Sequence, residues 1–107
     1  MPGRERIDTE LVVIGAGAAG LYSALTAASL GASVTVISAT PLAQTASYWA
    51  QGGLAAALGD DDSPALHLAD TERAGRGLVR RSAAEILVSE APEMIANLQR
   101  IRMRFDA

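Results

Sequence analysis

Residues 11–38 read LVVIGAGAAGLYSALTAASLGASVTVIS, and their order decides the fold. Leu11-Val12-Val13-Ile14 is a short apolar run, rich in β-branched residues and ending in glycine, the pattern of a strand buried on both faces. Ala18 to Leu30 places Leu21, Ala24, Leu25 and Ala28 on one stripe of a helix. Gly31 stands where a glycine ends a helix, and Val34-Thr35-Val36-Ile37 supplies a second strand. Strand, turn, helix and strand in so short a span make a βαβ unit, with parallel strands and a right-handed crossover.

The turn inside that unit, Gly15-Ala16-Gly17-Ala18-Ala19-Gly20, is G-x-G-x-x-G. Alone the pattern is weak, because alanine-rich and glycine-rich sequences produce it by chance. Following a strand and opening a helix, it has the context that gives it meaning. Gly15 allows the tight turn, Gly17 lets backbone reach a pyrophosphate, and Gly20 lets helix and strand pack closely. The N–H groups and positive end of the Ala18 helix then face the phosphates. A dinucleotide site usually carries a carboxylate at the end of the second strand, for the ribose hydroxyls. Here that position is Ser38, followed by Ala39 where a basic neighbour would help hold the cofactor. A hydroxyl can still hydrogen-bond to ribose. The pattern therefore says "dinucleotide" and leaves FAD and NAD both open.

Charge is unevenly spread. Five charged residues lie between Arg4 and Glu10, the next is Asp60, and Leu11 to Gly59 contains none. A signal peptide or membrane anchor is one explanation, since about 20 apolar residues cross a bilayer. Against it stand Gly15, Gly17, Gly20, Gly31, many Ser and Thr residues, and an acidic flank at Asp8 and Glu10. The better explanation is two strands and a helix gathered around a ligand. With 107 residues, half of them apolar, the chain has the size and composition of one small globular domain. A net charge of −3 gives no footprint for nucleic acid and no polybasic membrane patch. All nine cationic residues are Arg, which reads as coding bias. The absence of Cys and a single histidine, His67, exclude thiolate chemistry and a His cluster for metal.

Three segments follow: a βαβ dinucleotide unit over 10–38, a loop over 39–59 and a helical segment over 63–101. Asp60-Asp61-Asp62 reads as a solvated turn, lacking the alternating ligands and closing Glu of a calcium loop. Ser63-Pro64 resembles an N-cap with Pro at N1. Ser82 with Glu85 fits a capping box, and Pro92 is expected to open a last helix through Met94, Ile95 and Leu98. His67 is expected to be a hydrogen-bonded structural histidine and not a catalytic one.

The stretch Ser47-Tyr48-Trp49-Ala50-Gln51-Gly52-Gly53, taken with the glycine-rich turn, resembles the flavoprotein family of succinate dehydrogenase, fumarate reductase and L-aspartate oxidase. In that family a hydroxyl residue, two variable positions and A-Q-G-G lie against the flavin. The resemblance continues through Asp62-Ser63, His67, Asp70-Thr71, Ala74-Gly75 and Gly77 to Phe105-Asp106. It implies FAD as the cofactor, with the paired glycines bringing main-chain N–H groups to the isoalloxazine edge. Fixed donors there favour the reduced flavin. Tyr48 and Trp49 would shield the ring, with ordinary core packing standing beside that reading.

Within the family, the dehydrogenases and reductases commonly have a histidine, covalently bound to flavin, just before the hydroxyl residue. Here it is Ala46, which implies non-covalent FAD and the L-aspartate oxidase branch. Ser38 points the same way. Two departures remain: the oxidases usually have Ser where this chain has Ala46, and Arg102 stands where a helix-ending glycine is expected. The implied reaction takes hydride from Cα of L-aspartate to flavin N5, giving iminoaspartate for NAD biosynthesis, with oxygen or fumarate as acceptor. Quinolinate synthase would be the pathway neighbour and the cytoplasm the location. The cations for a dicarboxylate and the base come, in the family, from segments beyond residue 107, so no catalytic residue is assigned here.

The fold class expected is therefore α/β: the N-terminal part of a doubly wound, Rossmann-like FAD-binding domain, truncated and followed by helices. Leu11 to Ile14 would be left with a partner on one side only, a bare apolar edge. The chain is accordingly expected to be a piece of a longer enzyme and inactive alone. The alternatives are a fumarate reductase or succinate dehydrogenase relative, or a non-catalytic nucleotide-binding remnant.

Overall fold

Strands β1 (Leu11–Ile14) and β2 (Val34–Ile37) pair in parallel in the computed structural model, which describes residues 3–50 and 52–105. Gln51 and Asp106, both read above as part of the family pattern, lie outside the described residues. The chain divides into two compact units, Met1–Gly53 and Leu54–Ala107.

In the first unit the register runs from Leu11 opposite Val34 to Ile14 opposite Ile37. A polar tie fixes its lower end. The Glu10 carboxylate accepts from the Ser33 N–H at 2.8 Å, while the Glu10 N–H donates to the Ser33 hydroxyl at 3.0 Å. Helix α1 (Ala18–Ser29) packs on both strands. It ends as a Schellman motif: Gly31 N–H donates to Ala28 C=O at 3.0 Å and Ala32 N–H to Ala27 C=O at 3.1 Å. Gly31 has φ 95°, so glycine is needed there for the left-handed backbone.

Two packing expectations are corrected. β1 is not buried on both faces among the described residues: Ile14 is 84% exposed and Val12 about half exposed. Among the described residues the sheet has only two strands, so no third strand covers β1's free edge. The covered face of α1 is also not the Leu21, Leu25, Ala28 part of the stripe. It runs instead through Gly20, Ala24 and Ala27, leaving Leu21 and Leu25 exposed. The reason is distance. At Gly20 an added Cβ would collide with the Gly15 carbonyl and come 3.4 Å from Val13 Cγ1. Only small residues fit a helix so close to its strands, and leucines must point elsewhere.

The expected 39–59 loop is less irregular over residues 42–49. A 3-10 turn covers Leu42–Gln44, and a short helix α2 covers Ala46–Trp49. The Thr45 hydroxyl caps α2 by accepting from the Tyr48 N–H at 3.3 Å.

The second unit pairs helix α3 (Pro64–Gly75) with helix α4 (Arg81–Arg100). Gly59 to Asp62 forms an exposed turn before it, closed by the Asp62 N–H on Gly59 C=O at 3.1 Å. The Ser63 hydroxyl caps α3 by accepting from the Leu66 N–H at 3.2 Å, and Pro64 follows. Arg76 (φ 48°) and Gly77 (φ 86°) turn the chain out of α3. Gly75 makes room for that turn, since a Cβ there would run into Val79 Cγ2.

Three local readings are corrected in the second unit, two in α4 and one in α3. Ser82 is not its N-cap; the helix starts from Arg80 without a side-chain cap. Glu85 is instead held by Arg81 Nε at 2.9 Å, while Arg81 Nη1 reaches both Glu72 oxygens at 2.8 Å. Those carboxylates, Glu72 foremost, push the Arg81 guanidinium pKa above its ordinary value. Pro92 does not open a separate helix but lies inside α4. A proline there removes one backbone bond and costs roughly 3 kcal/mol. The buried stripe Ala84, Val88 and Ile95 keeps its helical spacing through Pro92, so burial outweighs that cost. Finally, His67 Nδ1 is shut away from solvent with no hydrogen-bond partner among the described residues.

Candidate dinucleotide site

The glycine-rich turn connects β1 to α1 and is bound at both ends. The Gly15 N–H donates to Ile37 C=O at 2.8 Å, extending the strand pairing by one residue. Gly15 then takes φ 111°, a backbone that side chains resist. Ala16 is buried, at 4% exposure. Gly17 is the N-cap of α1 in extended conformation and contributes no side-chain cap. Its carbonyl accepts the first helical bond, from the Leu21 N–H at 2.9 Å. The remaining first-turn N–H groups, those of Ala18, Ala19 and Gly20, have no acceptor within a helix of ordinary geometry.

One of those three is taken. The Ala18 N–H donates to the Ser47 hydroxyl at 3.0 Å, across 29 residues of sequence. Ser47 Oγ also lies 3.2 Å from where a Gly17 Cβ would stand. The structure thus brings Ser47 onto Gly15–Gly20, and nothing local in the sequence signals that bond. Ser38 directly follows β2, with its hydroxyl donating to Thr40 C=O at 2.6 Å and its lone pairs without a donor among the described residues. Ala39 is exposed, as is Ala46, the first residue of α2.

Tyr48 and Trp49 are not core residues. They are 64% and 69% exposed and pack edge to face on one another, ring centroids 5.8 Å apart. Ala50, Gly52 and Gly53 are exposed as well. Neither Gly52 nor Gly53 has a positive φ, and no atom of the described residues comes within 4 Å of a Cβ added at either. Backbone strain and internal crowding, the two usual reasons for glycine, are therefore both missing at this pair.

A dinucleotide fits what is present. Its phosphates can be met by backbone donors at a helix start, and the segment that carries them, Leu11 to Gly59, has no anionic side chain of its own. The glycine pair leaves backbone open to a flat ring. No group of three or more His, Asp or Glu side chains among the described residues could hold a metal.

The family model described as "FAD binding domain" matches residues 10–107. The chain belongs to the FAD binding domain family. Its cofactor is FAD, which closes the choice the glycine pattern alone left open. Among curated proteins it is 51% identical over 98 residues to an L-aspartate oxidase of Caulobacter vibrioides, covering 89% of this chain and 19% of that protein. It is 45% identical over 97 residues to an L-aspartate oxidase of Nostoc sp., covering 91% of this chain and 17% of that protein. The corresponding figures for an L-aspartate oxidase of Streptomyces coelicolor are 43% over 100 residues, 94% and 17%. The chain thus spans less than a fifth of the length of these relatives. No described helix of this FAD binding domain is long and apolar enough to cross a membrane.

Proposed function

We propose that the chain is the flavin-binding N-terminal part of an L-aspartate oxidase, built as the opening of a doubly wound, Rossmann-like domain. The observation that carries this reading is the Gly52-Gly53 pair. Among the described residues nothing crowds a Cβ added at either glycine, and the pair closes the S-x-x-A-Q-G-G pattern that follows the glycine-rich turn in sequence. The names of the relatives support the choice of oxidase.

In this reading Gly15 to Gly20 hold the pyrophosphate through the Ala19 and Gly20 N–H groups. The Ser38 hydroxyl meets the adenosine ribose, with Ala39 alongside. Ala46 to Gly53, including Gln51, meet the flavin, and Ala46 leaves it non-covalently bound. When bound, the flavin supplies a two-electron acceptor for hydride from the substrate Cα. The chain's own residues bind and orient it, and Tyr48 with Trp49 limit water at one face. L-Aspartate binding and proton removal fall to residues outside this chain, so the 107 residues alone have no turnover. The product, iminoaspartate, would feed NAD biosynthesis in the cytoplasm, beside quinolinate synthase.

The test is anaerobic addition of L-aspartate to the longest protein the gene encodes, loaded with FAD. Bleaching of the flavin absorbance by L-aspartate, and not by succinate, is the expected result. Bleaching by succinate alone would move the protein to the dehydrogenase branch. Peroxide made from aspartate by the 107-residue chain would sink the claim that catalysis lies elsewhere.

A further inference from the structure

Ser47 has a task that its place in the sequence pattern does not announce. Helix α1 begins at a glycine that offers no side-chain cap. A side-chain oxygen at a helix start stabilises the helix by about 1 kcal/mol, and here one comes from Ser47 at 3.0 Å. The same hydroxyl fills the space a side chain at Gly17 would need, 3.2 Å from its absent Cβ. Gly17 thus has a reason inside the protein, in addition to its closeness to phosphate.

Helix α2 depends on such a tie. Four residues are too few to hold a helix by themselves. Its two large side chains, Tyr48 and Trp49, are mostly exposed and cannot seat it by burial. Thr45 caps it locally, but that bond lies within 45–48 and says nothing of where the segment sits on the turn. The Ser47–Ala18 bond does, because it joins α2 to the first turn of α1.

The geometry points to Ser47 as a positioning residue, whose hydroxyl caps α1 from 29 residues away and so seats the Ala46–Gly53 segment on the glycine-rich turn where FAD binds. This rests on the flavin reading above. It also divides the donors of the helix start. Ala18 is committed to Ser47, and Ala19 and Gly20 are left for the phosphates. A serine hydroxyl accepting one bond keeps its own proton to donate, so the cap does not remove a donor from the site.

Amide hydrogen exchange on the chain, without and with FAD, tests both parts. Without FAD, Ser47→Ala is expected to speed exchange at Ala18 by roughly fivefold. The Gly15 amide, bonded to Ile37, is the internal control and should stay protected. Ser47→Thr, which keeps the hydroxyl, should restore the Ala18 rate. If Ser47→Ala unfolds the unit, Gly15 loses protection too, and the threonine variant then decides. In an FAD titration followed by emission of Trp49, the sole tryptophan, Ser47→Ala should weaken binding roughly fivefold and Ser47→Thr should not. Equal Ala18 exchange in wild type and Ser47→Ala, or equal FAD affinity, overturns the positioning role. If FAD leaves Ala19 and Gly20 exchange unchanged in the wild type, the flavin reading fails instead, and Ala18 alone judges the cap.

Discussion

Helix α1 meets its strands along Gly20, Ala24 and Ala27, whereas α4 buries Ala84, Val88 and Ile95. The first unit excludes side chains so that backbone can approach backbone, and its fixed points are hydrogen bonds: Gly15 to Ile37, Ala18 to Ser47, Glu10 with Ser33. The second unit is held by an apolar stripe, a capped helix start and the Arg81 ion pairs. A region that must admit a ligand cannot fill its space with its own side chains. The helical pair of the second unit fills its space with an apolar stripe. The open apolar surface of β1 and β2 has a separate cause, the two-stranded sheet itself, which leaves Ile14 and Val12 uncovered.

The largest expected effect lies where the first unit is tightest. Gly20→Ala places a methyl against the Gly15 carbonyl, which is backbone and cannot swing away. The strand-turn-helix junction should lose about 3 kcal/mol or more. In amide exchange this reads as loss of Gly15 protection. Gly53→Ala is the contrasting change. With nothing near its added Cβ, it should leave stability within about 0.5 kcal/mol. FAD affinity should nevertheless fall. If both variants behaved alike in stability, the distinction between a glycine for packing and a glycine for a ligand would break.

Val88→Ala is the matching probe of the second unit. Val88 is 2% exposed, so its two methyl groups are almost wholly buried. Their removal should cost about 2 kcal/mol, transfer and cavity together. Thermal melting followed by helical circular dichroism is the measurement. The expected signature is a lower melting point with FAD affinity unchanged. A fall in FAD affinity equal to that of Gly53→Ala would mean the second unit is not merely structural.

Much of this was legible in the residues because it is local. The bounds of β1 and β2, the turn glycines, the Gly31 helix end and the Ser63-Pro64 helix start all follow from patterns a few residues long. What escaped depends on partners distant in sequence. The Ser47–Ala18 bond spans 29 residues and has no spacing to recognise. The apolar stripe of α1 pointed to Leu21 and Leu25, but closeness to the strands selects Gly20 and Ala24. Pro92 looked like a helix start because its local cost is large, yet burial on both sides of it is larger. His67 was expected to have a hydrogen-bond partner, and Nδ1 has none among the described residues. For the flavin itself, the sequence pattern nominates residues, while the geometry shows that the Ala18 N–H is already bonded to Ser47.

The smallest expected effect sharpens the comparison most cleanly, because both units end a helix in the same way. In α4 the Arg102 N–H donates to Gln99 C=O at 2.9 Å and the Met103 N–H to Leu98 C=O at 3.0 Å. This is the bond pair that Gly31 and Ala32 make after α1. The difference is the residue that must go left-handed: Gly31 at φ 95° in one unit, Arg102 at φ 70° in the other. An L-residue with a Cβ pays about 1 kcal/mol for that backbone, and glycine does not. Glycine's larger freedom in the unfolded chain takes back part of the gain. Arg102→Gly should therefore raise the stability of the second unit by up to about 1 kcal/mol, a small rise in melting temperature. Gly31→Ala should lower that of the first by a similar amount. A destabilised Arg102→Gly would mean that the arginine side chain, and not the backbone turn, holds the end of α4.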